Sequence, residues 1–237
     1  MLQTISLSKQ YGSHQALAAL SVQIAPGEVF CMLGANGAGK TTSIKLMLGL
    51  LTPSAGQVLV HGVDVHRDPL AARRQMLYLP EQIALYGEMS GLENLDYFAG
   101  LAGVGDRRPS LLLEWLHEAG IPEDAAHRRA ATYSKGMRQK VAIALAIARS
   151  ARVLLLDEPT SGLDPQASAE FHALLLRQRD AGAAIYMATH DLFRAREVAT
   201  TIGLMRGGHL VRTLKATDVS ALELERLYLD EMRAPLM

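Results

Sequence analysis

The stretch GANGAGKTT, Gly34 to Thr42, has the residue types and spacing that most directly specify chemistry in this chain. It fits G-x-x-x-x-G-K-[ST], with the apolar run VFCML before it and the helix-forming run SIKLMLGLL after it. Gly34, Ala35, Asn36, Gly37, Ala38 and Gly39 let the backbone curl until several N–H groups converge on phosphate oxygens, where the next helix presents its positive N-terminus. Lys40 supplies a point charge to the β and γ phosphates and Thr41 a hydroxyl to Mg²⁺, with Thr42 completing the phosphate-contacting set.

A second constellation is RVLLLDEPTSGLDP, in which four apolar residues, Val153 to Leu156, run straight into Asp157 and Glu158. A carboxylate at the end of a buried strand is costly unless a cation or hydrogen bonds meet it. A Mg²⁺ held at the phosphate loop meets Asp157, directly or through a water, and Glu158 then stands where it accepts a proton from a water attacking the γ phosphate. An acidic cluster at a helix N-terminus before Pro159 is the alternative. His190 follows AIYMAT at another expected strand end; among the eight histidines none offers it a second ligand at metal spacing.

These residues need elements to position them. The first third reads as short strands, ISL, ALSVQIAPGE, VFCML and then QVLVHGVDV, much of it a small antiparallel sheet. From about Gly91 to Ser150 helical patterns replace the strand signals. RVLLLDEP, AIYMATHD and IGLMRGGHLV follow as apolar runs of strand length separated by helical segments, the pattern of a buried parallel sheet. The expected fold is α/β: a mostly parallel sheet of the phosphate-loop NTPase type, an N-terminal antiparallel β-subdomain and an inserted α-helical subdomain. Residues 1–215 form the main domain, with 1–90 and 150–215 as its core and 91–149 as the helical part. Residues 216–237 form a short amphipathic helix, begun by a Ser220–Glu223 capping box with Leu224, Leu227 and Tyr228 on one face.

The chain has 237 residues with Lys+Arg and Asp+Glu both at 24, so no net positive field favours a nucleic-acid backbone or an anionic membrane. Its one cysteine, Cys31, lies in an apolar run without a disulfide or zinc partner. No N-terminal stretch has the build of a secretory signal, and apolar runs such as VAIALAIA fall short of the roughly 20 residues of a membrane helix. These features predict a protein of the cytoplasm; any membrane crossing belongs to another chain.

Phosphate loop, strand-end Asp-Glu, helical insert and later strand-end His together resemble the ATP-binding subunits of ABC transporters over about residues 2–212. In that family the insert ends in a signature peptide, leucine-serine-glycine-glycine-glutamine, and here YSKGM stands in its place. Ser134 and Gly136 match the signature's serine and second glycine, while Lys135 replaces the first glycine and Met137 the glutamine. The resemblance implies that two subunits pair head to tail, each signature closing on the ATP of the other. Ser134 also serves as an N-cap, and Lys135 either reaches phosphate or faces solvent.

The same resemblance assigns Tyr11 to adenine stacking, Asp164 of SGLDP to an interface loop, and His190 to sensing the γ phosphate. Where the family carries a glutamine after YLP that contacts Mg²⁺, this chain has Glu81, with Gln82 next. YLPE, YSKGM and the terminal helix are similar to the subgroup that drives exporters with a separate membrane permease, docked on residues 83–97. The expectation is therefore an ATPase using ATP and Mg²⁺, working as a pair of cassettes with an integral membrane partner at the inner face of the membrane. A soluble ABC ATPase, for example in iron-sulfur assembly, is the alternative; the signature and SGLDP argue against a phosphate-loop kinase.

Overall fold

The computed structural model describes residues 1–233. Residues 1–78, 152–158 and those from 179 onward form one compact unit; residues 79–151 and 159–178 form a second.

In chain order the elements are β1 (Leu2–Tyr11), β2 (His14–Ile24), β3 (Val29–Leu33), α1 (Lys40–Met47), β4 (Ala55–Val60), β5 (Val63–Asp64), α2 (Pro69–Arg74) and β6 (Met76–Leu79). The helices α3 (Gly91–Leu101), α4 (Pro109–Glu118), α5 (Glu123–Ala126) and α6 (Lys135–Ala148) follow. Then come β7 (Val153–Asp157), α7 (Pro165–Asp180), β8 (Ala184–Thr189), α8 (Leu192–Val198), β9 (Thr201–Arg206), β10 (His209–Lys215) and α9 (Ala221–Arg233).

The strands lie in the order β5-β4-β1-β2-β10-β9-β3-β8-β7-β6. Pairings of β3 with β8 and β9, and of β7 with β8, are parallel, whereas β1, β2, β4 and β5 pair antiparallel. Composition explains the split. Every residue of β3, β7 and β8 is buried, as continuous apolar strands covered on both faces require. The strands β1 and β2 mix buried and exposed positions, as a sheet wetted on one side does.

Two expectations need correction. QVLVHGVDV is not one strand but the β4–β5 hairpin, turning at His61 and Gly62, both at positive φ. IGLMRGGHLV likewise splits into antiparallel β9 and β10 around Gly207 and Gly208. Two adjacent residues at positive φ make a tight hairpin turn that matches strand twist, so each apolar run folds back on itself. The strand β6 gave no signal because QMLYLP is too short to show a period.

In the second unit α6 packs against α3 and α4. The helix α3 starts on a complete Ser90–Glu93 capping box. Buried Asn94 ties this start back to the preceding turn, its amide donating to the Tyr86 and Ser90 carbonyls at 3.0 and 2.8 Å. The expected Ser220–Glu223 box also forms, and Leu224 is its buried anchor. The last four residues expected for that helix lie outside the described residues. Among the described residues no helix is long and apolar enough to cross a membrane.

Candidate functional site

The strand β3 delivers the chain to Gly34 at the floor of the first unit, and α1 starts at Lys40. A Cβ on Gly34 would stand 2.6 Å from the Met205 carbonyl oxygen of β9, so only glycine lets the loop leave the sheet there. Gly39 is the N-cap of α1 at φ 109°, and a Cβ on it would meet the Ala16 carbonyl oxygen at 2.6 Å. With no side-chain cap on α1, its first-turn N–H groups are left for a ligand, the condition for anion binding at a helix start.

Lys40 is 6% exposed. Its ammonium donates to the Gly34 carbonyl at 2.5 Å and the Ala35 carbonyl at 3.3 Å, and lies 3.4 Å from Glu158 Oε1. The lysine thus folds back over its own loop. What anchors α1 is a buried pair beneath it: the Tyr186 hydroxyl of β8 meets Ser43 Oγ at 2.7 Å, while Ser43 donates to the Lys40 carbonyl at 2.6 Å. Burial pushes the Tyr186 phenol well above its ordinary range, with the Ser43 contact pulling the other way. Because Ser43 spends its proton on Lys40, Tyr186 is the donor. Removing Ser43 strands a buried hydroxyl, whereas removing the Tyr186 hydroxyl leaves Ser43 satisfied. Ser43→Ala is expected to cost about 1–3 kcal/mol and Tyr186→Phe about 1, an order that denaturant unfolding of both variants checks.

The strands β7 and β8 end side by side, Asp157 pairing with Ala188 in register. Asp157 is buried, and after burial itself its charge is a further cause raising the Tyr78 phenol. Glu158 follows at φ 45°, a left-handed backbone that a non-glycine side chain adopts at a cost of order 1 kcal/mol. The reversal is pinned by Glu158 N–H donating to the Ala188 carbonyl at 2.8 Å. It turns the carboxylate onto Thr189 and His190: Oε2 accepts from Thr189 Oγ1 at 3.1 Å and from His190 N at 3.3 Å, and lies 2.9 Å from His190 Nδ1. With its proton on Nδ1, His190 donates to Glu158 and keeps Nε2 as an acceptor. The imidazole is 57% exposed, open to a ligand.

The first unit therefore brings together Lys40, Glu158 and His190, with Thr189 as a fourth member that the sequence reading missed. Its only signal is a hydroxyl at the last position of β8. Thr41 is exposed at the helix start. A threonine hydroxyl and one strand-end carboxylate, Asp157, fit Mg²⁺, which keeps waters and takes its remaining ligands from phosphate oxygens. Tyr11 closes β1 opposite His14, half exposed, with the Lys9 ammonium 4.9 Å from its ring centroid.

The remaining candidates lie in the second unit. Ser134 caps α6, its Oγ accepting from Met137 N–H at 3.2 Å. Lys135 neither extends into solvent nor stands free: it is half-buried and donates to the Ser161 carbonyl. Gly136 is buried, a Cβ there lying 3.4 Å from that of Ala167. Asp164 caps α7, accepting from Ala167 N–H at 2.8 Å, and Glu81 is exposed with Oε1 3.4 Å from Ser161 Oγ.

A buried strand, a glycine loop and a helix led by lysine, with an Asp-Glu pair ending a parallel strand of the same sheet two places away, define a phosphate-loop nucleotide-binding protein. The chain belongs to the ABC transporter family, whose model matches residues 17–161. It is 32% identical over 93% of its length to the probable multidrug ABC transporter ATP-binding protein YbhF of Escherichia coli (strain K12), and spans 38% of that protein. To the daunorubicin resistance ATP-binding protein DrrA3 of Streptomyces coeruleorubidus it is 34% identical over 90% of this chain and 67% of that one. Among solved structures it resembles the dimeric ATP-binding cassette MJ0796 bound to ADP and Pi after hydrolysis, at a TM-score of 0.80 and 25% identity, over 91% of this chain and 99% of that one.

Proposed function

We propose that the chain is the ATP-hydrolysing motor subunit of an ABC exporter, residues 1–215 forming the cassette. The observation that carries the reading is the cluster at the end of β7, where Glu158 lies 3.4 Å from Lys40 and 2.9 Å from His190 at the mouth of an uncapped helix.

Lys40 leaves the Gly34 and Ala35 carbonyls for the β and γ phosphates, and the uncapped N–H groups at the start of α1 take the remaining phosphate oxygens. That exchange swaps two neutral acceptors for charged ones and strengthens each hydrogen bond. Glu158, relieved of the lysine, accepts the proton of the attacking water. Thr189 and His190 hold the carboxylate in place, and the exposed His190 ring is the sensor of the γ phosphate. Thr41 and Asp157 hold Mg²⁺, which when bound neutralises charge on the phosphates. Tyr11 stacks on adenine.

Two copies enclose two nucleotides, each contributing Ser134, Gly136 and Met137 at the start of α6 and Asp164 at the start of α7. The dimeric cassette structure supports such pairing. The names of the relatives, multidrug transport and daunorubicin resistance, support export through a separate membrane permease. Residues 83–97 receive that permease at the inner face of the membrane, and Glu81 stands where the family's glutamine joins nucleotide to transport.

Purified chain with Mg²⁺ and ATP is expected to release phosphate, and capture of the endogenous protein in detergent to recover a polytopic membrane protein. Phosphate release with no such partner refutes the transporter reading and leaves the ATPase; no release refutes both.

A further inference from the structure

Two departures from the family's pattern, Lys135 for a glycine and Glu81 for a glutamine, meet at one residue. The Lys135 ammonium donates to the Ser161 carbonyl, and the Ser161 hydroxyl donates to Glu81 Oε1 at 3.4 Å. The lysine also covers the next residue, its Nζ lying 3.9 Å from where a Cβ of Gly162 would be, at φ 68°. Just upstream, buried Gln139, one turn along α6 from Lys135, donates to the Pro159 carbonyl. The turn between β7 and α7 is thus held from α6 at two carbonyls and from Glu81 at one hydroxyl.

We infer that Lys135 and Glu81 are a coupled pair of positioning residues, which share Ser161 and set the 160–164 loop against the start of α6. The charges make the pair. Relative to glycine and glutamine, position 135 gains one positive charge and position 81 one negative charge, so neither substitution alone keeps the local balance. Ser161 is the element both bias: its carbonyl is satisfied by a cation and its hydroxyl by an anion. A charge-assisted hydrogen bond to a turn carbonyl is also about twice as strong as a neutral one, which suits a loop that must hold Asp164 at the start of α7.

The pairing is separable from nucleotide chemistry, and only its turnover arm rests on the motor reading. Amide hydrogen exchange of residues 160–164 is followed in the nucleotide-free full chain for wild type, Lys135→Met, Lys135→Arg, Glu81→Gln and the double variant Glu81→Gln/Lys135→Met. Lys135→Met keeps the apolar stem and removes the cation; exchange at Gly162 and Leu163 is expected to rise about tenfold, the worth of a charge-assisted bond. Lys135→Arg stays within about twofold of wild type. Glu81→Gln alone speeds exchange about threefold, in line with an exposed partner. The double variant exchanges no faster than Lys135→Met alone, because the two share one loop.

In turnover, kcat falls with Lys135→Met and with Glu81→Gln while KM for ATP holds, and Lys135→Arg keeps kcat close to wild type. Unchanged exchange in Lys135→Met overturns the inference, as does an equal loss in Lys135→Arg. Single effects that multiply in the double variant overturn the coupling. A chain that hydrolyses no ATP refutes the motor reading while the exchange experiment still decides the pair.

Discussion

Glu158→Gln lowers ATP turnover by on the order of 10² to 10⁴, about 3–5 kcal/mol of transition-state stabilisation, and leaves ATP binding intact. The geometry says why the two effects part. Glu158 Oε2 receives Thr189 Oγ1, His190 N and the His190 ring, so a glutamine places its oxygen on that side. Its –NH₂ then faces Lys40, where the carboxylate Oε1 now lies 3.4 Å away. Two donors oppose each other, and the lysine is released from its resting position more readily. Binding of ATP therefore holds or tightens, while the group that accepts the water's proton is gone. Single-turnover phosphate release separates the steps from fluorescent-nucleotide binding. Near-normal release removes Glu158 from the role of base and leaves it as the resting partner of Lys40.

Ser134→Arg is expected to suppress ATP-driven dimerisation and steady-state hydrolysis by on the order of 10² or more, with monomer ATP affinity unchanged. Ser134 is exposed, and its Oγ serves only its own helix, accepting from Met137 N–H at 3.2 Å. Losing that cap costs about 1 kcal/mol, too little to unfold the unit. Arginine also fills the space at the start of α6 that an incoming phosphate would need. Light scattering of the Glu158→Gln/Ser134→Arg double variant with ATP reads dimerisation without turnover; a full dimer there refutes a role for α6 across the interface. Phosphate binding at the loop of Lys40 does not involve Ser134, so loss of monomer affinity would refute the division of labour.

How legible was this in the residues themselves? The loop from Gly34 to Thr42 was read whole because its function depends on local backbone: glycines at fixed offsets, a strand before, a helix after. Asp157 and Glu158 were read for a related reason, since charges ending an apolar run must meet something. The capping box at Ser220 is likewise a local bond between residues three apart. The hairpins at His61–Gly62 and Gly207–Gly208 were run together because an apolar stretch on either side of a two-residue turn has the same composition as one long strand. Antiparallel pairing, of β4 with β5 and of β9 with β10, is what separates them.

The sequence by itself determined the class of site, the family and the division into antiparallel strands, helical insert and parallel sheet, because motif spacing and hydrophobic period are properties of neighbouring positions. Tertiary structure alone decided the company each residue keeps. It placed Thr189 on Glu158, gave Lys40 a resting position on its own loop, and turned Lys135 onto Ser161 instead of into solvent. Those contacts join segments far apart in the chain, and they follow from which strand ends lie side by side and how helix starts pack against loops. A charged side chain read in isolation has no partner; the fold supplies one, and the cost of leaving the charge unmet explains why it must.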